Sequence, residues 1–92
     1  MNTLLIAYDL GKPETEQRYE NLISKIKSYT SWAKPEYSTW FITTGKSAGT
    51  VRDELKAHLY ESDKILVINI TDDDWASYGL PADVTIWMKS NL

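Results

Sequence analysis

Hydrophobic and polar positions alternate between two rhythms along this chain, and the switches between them divide it into elements. Leu4-Leu5-Ile6-Ala7-Tyr8-Asp9-Leu10 is a short run, apolar on both faces and closed by Gly11-Lys12-Pro13. Such a run is too short for a helix and reads as a strand buried on both sides. From Glu14 to Tyr29 the rhythm becomes helical, with Tyr19, Leu22, Ile23 and Ile26 on one stripe, acidic residues early and Lys25 and Lys27 late. Ser31-Trp32-Ala33-Lys34-Pro35 predicts a brief edge strand, because Pro35 cannot donate to a ladder. Tyr37 to Thr44, rich in β-branched and aromatic residues, predicts a strand paired with it as a hairpin. Ser47 is placed to cap a second helix from Ala48 to Glu61, with Val51, Leu55 and Leu59 facing inward. Lys64 to Ile70 is a second strand apolar on both faces, and Val84, Trp87 and Met88 mark a short C-terminal helix after an acidic loop.

The order β-α-β-β-α-β predicts an α+β fold of ferredoxin-like type: a four-stranded antiparallel sheet with two helices on one face. One domain spans residues 1–92, with its core at about 3–70 and an appendage over 71–92. Leu4, Ile6 and Tyr8 fall on one side of the first strand, Leu5 and Ala7 on the other. Both faces being apolar, something must cover the second one. The candidates are a homodimer, which we favour, and the C-terminal segment with Trp75 and Trp87.

Composition narrows the function. The chain has no cysteine, which excludes disulfides and thiolate metal sites. It has no apolar run of membrane-spanning length and no signal peptide, so a cytoplasmic protein is expected. A net charge of -3 argues against coating nucleic acid through bulk charge.

The strings Tyr8-Asp9-Leu10 and Tyr37-Ser38-Thr39-Trp40-Phe41 resemble the small CRISPR-associated adaptation subunit and the related VapD-type ribonucleases. The resemblance implies a ferredoxin-like homodimer and a metal-dependent nuclease acting on RNA or DNA. It implies Asp9 as the catalytic residue, facing its dimer mate and holding Mg²⁺ or Mn²⁺, and it matches Ser38 to a third-strand serine. The chain departs from that family in lacking its arginine-rich, DNA-gripping helix.

Tyr8, Ser38, Trp40 and Lys46 are the residues expected to contact nucleic acid. Each candidate also has a plainer reading. Asp9 could serve an Asx-type turn at Gly11 instead of a cation. Lys46, beside the free N–H groups at the start of the second helix, could hold an anion, or the segment could be ordinary capping by Ser47. The required early glycine of a phosphate loop is Trp40, so that motif fails. Tyr8, Trp32, Tyr37 and Trp40 could stack on bases or fill the core. Asp72-Asp73-Asp74 lacks metal-loop spacing and reads as a solvated loop, and His58, the one histidine, reads as a structural residue at the edge of a stripe. The leading expectation is a metal-dependent nuclease; the alternative is a non-catalytic homodimeric module that binds a protein partner or nucleic acid.

Overall fold

A computed structural model describes residues 1–92. The chain runs β1 (Asn2–Asp9), α1 (Gln17–Lys27), β2 (Ser31–Glu36), β3 (Thr39–Thr44), α2 (Ala48–Lys56), β4 (Lys64–Asn69) and α3 (Ala82–Asn91). It is an α+β protein with an open four-stranded antiparallel sheet in the order β2-β3-β1-β4. The doubly apolar first strand is thus an inner strand, flanked by β3 and β4. β2 and β4 form the two edges, and β2 carries Pro35 together with a register shift between Ala33 and Glu36.

The two faces of the sheet hold separate cores. Leu4, Ile6 and Tyr8 of β1 and Trp40 and Ile42 of β3 pack with Tyr19, Leu22 and Ile26 of α1 and Val51 and Leu55 of α2. On the other face, Phe41 and Ala33 pack with Val84 and Met88 of α3, and Leu5, Trp75 and Trp87 close around them. The Phe41 and Trp87 rings stack at 6.0 Å. The Thr3 hydroxyl donates to the Asn91 carbonyl at 2.6 Å, tying the end of α3 to β1. The C-terminal segment therefore covers the β2-β3-β1 part of the second face. It leaves the β4 part open, where Leu66 and Ile68 are 55% and 42% exposed.

Both main helices are shorter than the expected spans, Glu14 to Tyr29 and Ala48 to Glu61. The α1 helix starts at Gln17, because the Glu16 carboxylate accepts the Arg18 N–H at 2.9 Å and caps it. The α2 helix ends at Lys56; the next turn tightens, with His58 N–H bonding to Leu55 and Leu59 N–H to Lys56. Leu59 still reaches the core from that turn. Between β2 and β3, Tyr37 and Ser38 make a two-residue turn with Ser38 at φ 61°. No helix is long and apolar enough to cross a membrane.

Candidate functional site

Asp9 is the last residue of β1, exposed and directly opposite Lys64 on β4. Ser38 lies at the same end of the sheet: its carbonyl accepts the Tyr8 N–H at 3.1 Å, one residue from Asp9. The structure thus brings together the two positions carried by the family resemblance. The turn after Asp9 is held by a different carboxylate. Asp63 Oδ1 accepts the Gly11 N–H at 2.7 Å, a long-range bond that takes the amide an Asx-type turn at Asp9 would have used. Asp9 supplies one carboxylate, and no three His, Asp or Glu side chains of the chain gather closely enough to hold a metal ion. A second carboxylate for Mg²⁺ or Mn²⁺ beside Asp9 would have to come from a second chain, with water filling the other positions.

The residues considered for nucleic acid do not share a surface. Tyr8 and Trp40 are 6% and 2% exposed, and the Trp40 indole N–H donates to the Tyr8 hydroxyl at 2.9 Å inside the core. Burial raises the Tyr8 pKa, partly countered by the Trp40 bond. Their rings offer no face to a base. Trp32 meets Trp40 edge-on at 5.4 Å and is capped by Lys27 at 5.0 Å. Tyr37 projects from the hairpin turn, 89% exposed.

Lys46 lies past the far end of β3, where the Asn2 side chain donates to its carbonyl at 3.1 Å. Its ammonium is 2.7 Å from Glu54, which also accepts the Tyr29 hydroxyl at 2.7 Å. The Lys46 bond is the main cause holding the Glu54 carboxyl below its usual pKa, followed by the Tyr29 bond. Ser47 Oγ accepts the Thr50 N–H at 3.1 Å, so this helix start is capped from within the chain. His58 is half-buried beyond α2, and Asp72, Asp73 and Asp74 are exposed on the turn after β4.

Two features were not found by reading the sequence. The first is the polar cluster around Asp63, which also accepts the Tyr60 N–H at 2.7 Å and the Tyr19 hydroxyl at 2.8 Å. The Tyr60 hydroxyl donates to Glu16 at 2.8 Å, and Lys12 and Arg18 sit over the Tyr60 ring at 4.8 and 4.9 Å. Its members are scattered from Gly11 to Asp63, and no local spacing announces them. The second is the open β4 edge. Its signal was present in part, since β4 is apolar on both faces and exposes its second row wherever nothing covers it.

Fold and geometry define a class, a small α+β protein with an open antiparallel sheet, one helix pair and a helical cover. No family model matches the chain, and no curated protein matches it.

Proposed function

We propose that this chain is a non-catalytic homodimeric module of ferredoxin-like fold that acts through protein contacts along its sheet. The strand order β2-β3-β1-β4 and the packing of α1 and α2 against one face support the ferredoxin-like assignment. The observation that carries the functional reading is the uncovered strip of β4. Leu66 and Ile68 stay exposed beside a face that α3 otherwise covers, and their strand has a free edge. The test is sedimentation equilibrium across a broad concentration range. Mass rising toward twice the chain mass supports the module; a monomer throughout refutes it.

A second reading, a metal-dependent nuclease like the CRISPR adaptation subunit and the VapD ribonucleases, is favoured by one observation. Asp9 is exposed at a strand end beside Ser38, free of any ion pair within the chain. It requires two Asp9 carboxylates to meet across a dimer around Mg²⁺ or Mn²⁺. RNA and DNA cleavage with either metal, lost in Asp9→Ala, would establish it in place of the module.

A further inference from the structure

An antiparallel strand turns the N–H and C=O of alternate residues to opposite sides. The Ile70 N–H donates to the Thr3 carbonyl at 2.9 Å, which fixes the phase of β4. Lys64, Leu66 and Ile68 therefore direct their backbone groups to β1. Ile65, Val67 and Asn69 direct theirs to the free edge. This edge has no proline and no register shift, whereas the β2 edge has both.

We propose that β4 pairs antiparallel with β4 of a second copy, with Val67 on the two-fold axis, so that two sheets join into one of eight strands. The inference rests on the homodimeric reading above and names its interface. Three independent features select this register. Centring on Val67 makes Val67 face Val67 and Ile65 face Asn69 on either side, so all the outward backbone groups of β4 are paired. The same register sets Leu66 directly opposite Ile68 twice, so the exposed apolar side chains of one copy lie against those of the other. Lys64 then stands opposite Ile70, and the acidic turn at Asp72 and Asp73 approaches it diagonally, while the two Lys64 ammonium groups are kept apart at opposite ends. Moving the axis to Leu66 would leave Asn69 unpaired within the strand and set Ile68 against Lys64. The seam is an isologous contact, closed by its own symmetry.

The seam also fixes where the two Asp9 carboxylates lie. Asp9 is level with Lys64 on the inner neighbour of β4. Three strand spacings across and six residues along put the two copies of Asp9 about 25 Å apart, at ~4.8 Å per strand and ~3.4 Å per residue. One metal ion cannot bridge them, so this interface and a shared-Asp9 nuclease site exclude each other.

The native chain has no cysteine, which makes cross-linking a clean test. Leu66 and Ile68 would form non-hydrogen-bonded pairs, whose close Cα spacing suits a disulfide. Mixing Leu66→Cys chains with Ile68→Cys chains under mild oxidation is expected to give linked dimers, with much less from either variant alone. A Leu66→Lys/Ile68→Lys double variant, altered only at exposed positions, is expected to keep its circular dichroism and become monomeric. A dimer that fails to link in the mixture, links equally in Leu66→Cys alone, or survives the double lysine variant overturns the seam and leaves the homodimeric reading standing. A monomer at every concentration overturns both.

Discussion

The buried pair of Tyr8 and Trp40 offers a quantitative test of whether these aromatics are structural. Trp40→Phe removes an indole donor whose bond to the Tyr8 hydroxyl contributes ~1 kcal/mol net. It also removes ~40 Å³ of ring, which at about 24 cal/mol per Å³ of unfilled cavity costs ~1 kcal/mol more. With the Tyr8 hydroxyl left without its buried donor, the expected loss is about 2–3 kcal/mol. That is a large share of the roughly 5–14 kcal/mol expected for a chain of this length. Urea unfolding followed by far-ultraviolet circular dichroism measures it, since Trp40 itself contributes to fluorescence. With a slope of about 1 kcal/mol per molar urea, the midpoint falls by about 2–3 M. Tyr8→Phe alone is expected to cost ~1 kcal/mol, and little further once Trp40→Phe is present, a coupling of ~1 kcal/mol. Equal costs of Tyr8→Phe in the two backgrounds would refute the bond. Loss of nucleic-acid binding in either variant, with stability unchanged, would refute the core assignment.

Three other outcomes follow from the same geometry. Desolvation opposes ionisation of Asp63, but the Gly11 and Tyr60 amides, the Tyr19 hydroxyl and Lys12 together hold its pKa below the usual value. Its stabilising share is present above about pH 4 and is lost as pH falls through the depressed folded value, so Asp63→Asn is expected to flatten the acid limb of the stability profile. Burial, then the Asp63 bond, pushes the Tyr19 pKa up to about 12. Its contribution is complete below the ordinary tyrosine value of ~10 and is lost as pH rises through the raised folded one, so thermal scans at alkaline pH are expected to lose stability less steeply in Tyr19→Phe. Ser38, at φ 61° in the hairpin turn, is strained as an L-residue; Ser38→Gly is expected to hold the unfolding free energy or raise it by up to ~1 kcal/mol, and a clear loss would mean its side chain has a structural partner.

The elements whose cause is local were legible in the sequence. The two-sided apolar runs of β1 and β4 and the β-branched run of β3 marked strands, and Pro35 placed β2 at an edge. The helix ends were not, because they are decided by side chains outside the stripe. Glu16 caps α1 by turning back on Arg18, and the chain after Lys56 is pulled into a tight turn by an aspartate beyond it. Ser47, by contrast, caps α2 where expected. The C-terminal segment was one of two named candidates for the second face, and its helix does cover much of it. Which rows it leaves open depends on where α3 docks, over Ala33 and Phe41 and away from β4, which no pattern in residues 82–91 encodes. For the site, the sequence suggested Asp9 and Ser38, which the fold places near one another. It also grouped Tyr8 and Trp40 with Lys46, which the fold sends to the core and to the opposite end of the sheet.

The inner position of β1 also matters while the chain is being made. Its neighbours are β3 and β4, so the first apolar strand leaves the ribosome with neither edge matched. One side waits for Thr44, and the other stays open until Asn69 has emerged. The delay of some 60 residues between Asp9 and Asn69, at about 5–20 residues per second, is ~3–12 s. During that interval Leu4 to Ala7 is a sticky template in a crowded cell. Early packing of α1 over Leu4 and Ile6 would shield one face of the strand in that interval, while its two edges wait for β3 and β4.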